Sequence, residues 1–370
     1  MRILFVNATR RWGGVKSWSL RVARGLRSRG HEVGFVLRPG NPFGEACRAE
    51  DFWVQEMAFG PDWNPIAILN LSRTIRNRRP DLIVTNVSKD NRIAGPAARQ
   101  NKIPVLQRVG GPGDIRDRFS MRVEQRRYVT HIVTPAHTVV DHLKTFPWMH
   151  TEKRVTVVPN GVDLTAFLPG EGVGELRVAA EIKPDDPSPI LVTTSQLTAI
   201  KGHDILMESL SKLAPQHRPY LVCIGEGKEQ PRLESLAREL NIASQVRFLG
   251  FHQHLGSLLE DATLVVQPSY KEGFPNSVVE AMAKGKAIVA SDLPGIREAM
   301  ETDVHGVLVP SGDANILARM IRDLLDNPTK REALGRAARE RAESHFSETK
   351  MVSLVEALME RVVDTHGAES

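Results

Sequence analysis

Cysteine is nearly absent. Cys47 and Cys223 are the two in 370 residues. They are far apart and match no redox or zinc-ligand spacing, which excludes a disulfide framework or a structural zinc site. Such usage fits a reducing compartment. Long apolar runs are missing too. Met1–Val6 is apolar for only four residues before Asn7, too short for a signal peptide and better read as a buried strand. No run approaches the roughly 20 residues of a membrane span. A soluble, cytoplasmic chain is expected. There is no short-period repeat and no low-complexity tract. Six of the twelve histidines (His131, His137, His142, His203, His252, His254) show no metal-ligand spacing.

What is present is ordinary globular material: 41% apolar and 25% charged residues, close to the average for folded domains. The length suits two domains. The net charge of +5 hides an asymmetry. Residues 1–170 hold 27 Lys/Arg against 14 Asp/Glu, a net +13, and the other 200 hold 22 against 30, a net −8. A basic half suits an anionic partner such as nucleic acid, anionic lipid or a phosphorylated ligand; a solvated basic surface is the other reading.

Short apolar runs alternate with helical patterns. In the first half the strands are Ile3–Val6, Glu32–Leu37, Asp81–Thr85, Val105–Gln107, His131–Thr134 and Val155–Val158, with a helix over Ser17–Ser28 closed by Gly30. A linker rich in Gly and Pro lies between Leu168 and Pro189. The alternation then restarts: strands at Ile190–Thr194, Tyr220–Ile224, Val246–Leu249, Leu264–Gln267 and Ala287–Ala290, helices at His203–Leu213, Ser277–Lys284 and Lys350–Val363. The fold class is α/β, with two Rossmann-like doubly wound domains. Ligands of such sheets bind beyond the carboxyl ends of the strands, so a cleft between two facing domains is the expected site.

Three loops after strands carry candidate chemistry. In Pro268–Gly285, Gly273, Pro275 and Asn276 shape a loop and Ser277 is placed to cap the following helix. A helix N-terminus suits a phosphate. Glu272 and Glu280 flank it, and carboxylates accept well from sugar hydroxyls. A capped helix with surface glutamates reads equally well. In Ser195–Asp204, Lys201 precedes the helix, where a cation meets a diphosphate or simply faces water. Trp12-Gly13-Gly14-Val15 follows the first strand, where glycines let backbone N–H groups approach a ligand. The dinucleotide fingerprint G-x-G-x-x-G is absent, and Gly225-Glu226-Gly227 is only a fragment of it.

Taken together, these segments resemble the retaining GT-B glycosyltransferases of family 4 (glycosyl transferases group 1). The likeness spans nearly the whole chain. It rests on Gly13-Gly14 with Arg29-Gly-His-Glu-Val33, on Val158-Pro-Asn-Gly-Val-Asp163, on Lys201-Gly202, Ile224–Gly227 and Val246–Gly250, and on Glu272 and Glu280 as the E-x7-E motif. It implies a GT-B arrangement: an acceptor-side domain over 1–168, a nucleotide-sugar donor domain over 169–346, and a helix over 347–364 crossing back. It implies that Lys201 and Gly14 hold the donor diphosphate, Glu272 the sugar hydroxyls and Glu280 the ribose. Phe248 and Leu249 would meet the nucleobase, and Gly273, Phe274, Pro275 and Asn276 would lie under sugar and phosphate. No metal or cofactor is implied, since helix dipole and basic side chains neutralise the diphosphate.

Two positions depart from the family. Gln196 stands where an arginine usually contacts the diphosphate. After Val105–Gln107, where many members carry a histidine, the sequence reads Arg108-Val-Gly-Gly-Pro-Gly-Asp114. Arg108 is the nearest catalytic candidate beside Glu272 and Lys201; a structural arginine in a Gly-rich loop is the other reading. The expected function is retaining transfer from an NDP-sugar to a lipid-linked or saccharide acceptor, in lipopolysaccharide or envelope polysaccharide synthesis. The alternatives are a non-catalytic nucleotide-binding scaffold and a nucleotide-sugar epimerase. Arg116, Arg118, Arg122, Arg126 and Arg127, interleaved with Phe119, Met121, Val123 and Tyr128, suit either an anionic membrane surface or water. Arg73, Arg76, Arg78 and Arg79 form a second basic group.

Overall fold

A computed structural model describes residues 1–9, 14–149, 154–215, 218–252 and 254–369. It divides into two units, Met1–Gly161 with Glu348–Ser370, and Val162–Ser347.

The first unit is built on β1 (Arg2–Asn7), β2 (Glu32–Leu37), β3 (Trp53–Glu56), β4 (Leu82–Thr85), β5 (Val105–Arg108), β6 (His131–Thr134) and β7 (Val155–Val157), in the order β3-β2-β1-β4-β5-β6-β7. Every pairing is parallel. Strand periodicity sorts β1 between two cores. Ile3 and Phe5 face a cluster with Trp18, Val22 and Leu26. Leu4 and Val6 face another with Leu71, Ile75 and Ile93. Both faces are covered, as a parallel sheet requires.

The C-terminal helix Glu348–Glu369 belongs to this unit. Met351, Val352, Val355, Leu358, Met359 and Val362 join the Trp18 cluster. Each such side chain contributes about 1.5–3 kcal/mol on burial, enough to hold a helix so distant in sequence. The approach is close: a Cβ on Gly25 would lie 2.5 Å from Val352 Cγ2. Arg29 and His31 both pair with Glu356 at its edge.

The second unit carries β8 (Ile190–Thr194), β9 (Tyr220–Ile224), β10 (Val246–Gly250), β11 (Leu264–Gln267), β12 (Ile288–Ser291) and β13 (Val307–Val309), in the order β10-β9-β8-β11-β12-β13. All pairings are again parallel. In each sheet the winding reverses between two central strands, β1 and β4 in the first, β8 and β11 in the second.

The sequence reading had no strand at β3 or β13. Trp53–Glu56 is an edge strand, half-buried and carrying Gln55 and Glu56; Val307–Val309 has only three residues. Several bounds also moved. Helix Gly14–Ser28 begins earlier than expected, His203–Ser211 ends earlier, β12 is displaced by one residue, and Glu348–Glu369 runs further at both ends. No helix among the described residues is long and apolar enough to cross a membrane.

Candidate active site

Ligands of doubly wound sheets collect where the strand order reverses. In the second unit that point lies between the loops after β8 and β11, and the backbone itself ties these loops together. Gly202, at φ +68°, ends the short 3-10 turn Ala199–Lys201 and starts helix His203–Ser211. A Cβ there would lie 2.0 Å from the Pro268 carbonyl oxygen, so the position admits only glycine. Tyr270 N donates to Ile200 O at 2.8 Å. The β8 loop also leans on the β9 loop: Leu197 N donates to Glu226 O, and Glu229 N to Leu197 O.

This scaffold brings Lys201 against Glu272. Lys201 Nζ donates to both carboxylate oxygens, at 2.7 and 3.0 Å. The side chains are only 20% and 8% exposed. Two residues read separately in the sequence are thus one charged pair.

Below the pair, Gln267 closes the β11 loop on itself. Its Nε2 donates to Ser269 Oγ at 2.8 Å and its Oε1 accepts from Ser277 Oγ at 3.0 Å. Ser277 was expected to cap the next helix. It does not: helix Asn276–Ala283 starts after Pro275 with no side-chain cap, so Ser277 lies inside the first turn, its hydroxyl donating to Gln267. Phe274 is buried with its ring 6.0 Å from that of Phe346. A Cβ on Gly295 would lie 2.2 Å from Gly273 O, so helix Pro294–Ala299 backs the same loop closely. Glu280 is half-buried, on the helix that Asn276 begins.

Phe248 and Leu249 lie at the end of β10, two strands from β8. Register slips between Phe248 and Gly250, and such bulges re-aim side chains at strand ends. Gln196 is exposed in the β8 loop. Behind it, His203 Nε2 and Ser195 Oγ are 3.2 Å apart. Burial, aided by Lys201, holds this imidazole well below its usual range, at about 4.

Other expected residues fall in the first unit. Gly13 lies outside the described residues, and Gly14 opens helix Gly14–Ser28. Arg108 ends β5 and is buried, its guanidinium 4.9 Å from the Trp18 ring and 3.4 Å from Asn160 Oδ1. Burial pulls it down to about 10, against the opposing effect of Asp114.

The first unit also holds polar groups that sequence reasoning missed. Asn7 ends β1, Asn86 follows β4, and Asn91 sits in the next helix; all three are buried. Their Nδ2 atoms, and Asn86 Oδ1, have no hydrogen-bond partner among the described residues. Buried polar groups are rarely left so. Asp90 accepts from the backbone of Ala8, Asn86 and Val87, and burial raises it to about 6 against those bonds. The available signal was a polar residue directly after an apolar strand.

Comparison with known proteins bears on the whole chain. Residues 12–166 match the family described as Glycosyltransferase Family 4, and residues 177–341 match Glycosyl transferases group 1. The chain is 28% identical over 341 residues to the N,N'-diacetylbacillosaminyl-diphospho-undecaprenol alpha-1,3-N-acetylgalactosaminyltransferase of Campylobacter jejuni, covering 86% of this chain and 88% of that protein. It is 33% identical over 247 residues to the D-inositol 3-phosphate glycosyltransferase of Geodermatophilus obscurus, covering 63% and 52%. The chain spans about half the length of the relatives of that name. A glycosyltransferase structure from Rickettsia africae ESF-5 superposes with a TM-score of 0.87 at 22% identity, covering 98% of each chain. Anabaena HepE with UDP-glucose superposes at 0.83 and 20% identity, covering 98% of this chain and 100% of that one. With matches to both halves and this fold, the chain belongs to the GT-B glycosyltransferases of family 4 (group 1).

Proposed function

We propose that the protein transfers a sugar, with retention, from an NDP-sugar held by its second unit to a lipid-linked or saccharide acceptor. The observation that carries this reading is the Lys201–Glu272 pair at the β8/β11 reversal. The ammonium supplies charge for a leaving diphosphate, and the carboxylate it anchors accepts from sugar hydroxyls. The bond from the anomeric carbon to the diphosphate breaks, and the acceptor oxygen bonds to that carbon on the same face. The acceptor proton passes to the departing diphosphate. Fixed charges aimed at the leaving group act without reorganising, so no metal is required of this chain.

The relatives support the choice of partners. The Anabaena protein was solved with UDP and with UDP-glucose, and the Campylobacter relative is named for a diphospho-undecaprenol acceptor. A Rhizobium meliloti relative, 22% identical over 341 residues, is named for lipopolysaccharide core biosynthesis. Synthesis of such envelope glycans beside an anionic membrane is the setting we infer.

The test is a panel of UDP-, GDP- and ADP-sugars. A donor that binds the native state raises its melting temperature by mass action. The same donor should be hydrolysed or transferred by the wild type and not by Glu272→Ala. Binding without turnover in the wild type would favour a scaffold, which the exposed neutral Gln196 would suit; isomerised sugar without acceptor would favour an epimerase.

A further inference from the structure

A cavity of about 510 Å³ opens at the carboxyl ends of β2 and β3, lined by Arg38, Asn41 and Phe59 with Gly40 and Gly60 at its backbone. Arg38 is fixed by its Nε, which donates to Ala8 O at 2.9 Å, and lies 5.9 Å from the Phe59 ring. Its two Nη atoms have no hydrogen bond or ion pair among the described residues. A guanidinium fork held by its stem and open at its tip is built for an oxyanion.

Behind the Asn41 wall lies a second cation. Lys16 is fully buried. Its Nζ donates to Asn41 Oδ1 at 2.8 Å and sits 5.7 Å from the Phe43 ring. Among the described residues no carboxylate lies within ion-pair distance of it. The Asn41 Oδ1 also accepts from Phe43 N, and its Nδ2 donates to Thr9 O, so this neutral amide offers the ammonium one shared oxygen and no charge. Burial lowers Lys16 to about 8, which leaves it mostly charged at neutral pH. A buried charge without a counterion is costly. Asp90 feels the Arg38 charge, but its oxygens already accept from three backbone N–H groups and make no ion pair with it among the described residues.

We infer that this cavity is a phosphoryl-binding site, and that it takes the phosphate of a phosphorylated acceptor through the Arg38 fork with Lys16 as the inner counter-charge. The acceptor role rests on the transferase reading; the binding site does not. Phe59 and the two glycines leave room for the alcohol portion of a phosphate ester.

The test is calorimetric titration of the full chain with glycerol 3-phosphate, inorganic phosphate and geranyl diphosphate, which separate a sugar-type monoester, the free ion and a lipid diphosphate. Wild type should bind at least one, and Arg38→Gln should bind it at least tenfold more weakly. Gly40 (φ +64°) has open space beyond its Cβ position, and Asp and Asn both tolerate that backbone. Gly40→Asp should therefore weaken binding relative to Gly40→Asn, which keeps the test valid if Arg38→Gln unfolds. Equal affinity in Gly40→Asp and Gly40→Asn would overturn the site. A protein that transfers sugar but ignores these substitutions refutes the site and spares the transferase reading; phosphate binding through Arg38 without any transfer does the reverse.

Discussion

Lys201 Nζ lies 2.7 Å from Glu272 Oε2 and 3.0 Å from Oε1, although the residues are 71 positions apart. The ion pair spans the two loops that flank the reversal of winding, and little of either side chain reaches water. Each charge therefore depends on the other for its position and solvation.

Removing one member alone is expected to be costly. Lys201→Ala leaves a half-buried carboxylate without its cation, and an unsatisfied group of this kind costs about 1–3 kcal/mol. Transfer should fall at least 100-fold in Lys201→Ala and in Glu272→Ala. The double variant should fall by much less than the product, because groups acting as a unit are not additive. Initial rates across the cycle check this; independent, multiplicative losses would separate the two roles.

Gly202→Ala tests the scaffold under the pair. The native φ of +68° disfavours any Cβ, and the new methyl would meet the Pro268 carbonyl oxygen 2.0 Å away. The backbone strain alone costs about 1–3 kcal/mol, and the clash adds to it by prying the β8 and β11 loops apart. Thermal melts should show the loss, and UDP-sugar affinity should drop with it. A variant with native stability would mean that these loops slide freely.

Acid should destabilise the second unit through His203. Its folded pKa, about 4, lies below its usual 6.5, so between those values the unfolded chain binds more protons. Stability is then fully present above pH 6.5 and lost as pH falls toward 4. The shift corresponds to about 3 kcal/mol. His131 in the first unit, also lowered to about 4 by burial and by Arg361 and Arg154, acts in the same direction. Denaturant midpoints at pH 7 and pH 4.5 should differ less in His203→Gln than in the wild type. An unchanged difference would mean that His203 binds protons equally in the folded and unfolded chain.

Much of this is legible in the sequence, for a physical reason. Strands buried on both faces must be apolar throughout, so Ile190–Thr194 and Leu264–Gln267 stand out, and the loops after them follow. Glu272 and Glu280 were conspicuous by their spacing beside a helix start. The Lys201–Glu272 pair was hidden, because no local pattern records which loops the strand order sets side by side. Gln267 read as the last residue of a strand; only the folded loop delivers Ser269 and Ser277 to its two ends. Ser277 misled as a helix cap because the helix already begins at Asn276. The edge strand Trp53–Glu56 escaped because one-sided burial leaves room for Gln55 and Glu56.

Helix Phe119–Arg127 offers the sharpest test of a membrane partner. Phe119 is 82% exposed at its start, and Arg126 and Arg127 are exposed at its end. Arg122 differs from them. Its Nε and Nη2 donate to Asp117 at 2.8 and 3.0 Å, so its charge is already offset. A basic residue near an anionic leaflet contributes about 1 kcal/mol. Neutralising Arg126 and Arg127 together should then weaken binding to phosphatidylglycerol vesicles roughly 30-fold, by the conversion of about 1.4 kcal/mol per decade. Arg122→Gln removes one positive charge and leaves the Asp117 carboxylate unpaired, so it should cost about as much as neutralising Arg126 or Arg127 alone. Phe119→Ser should reduce binding in a way that added salt does not reproduce, because salt screens charge and leaves apolar insertion intact. Equal vesicle binding by the wild type and the Arg126/Arg127 double variant would assign this basic face to water.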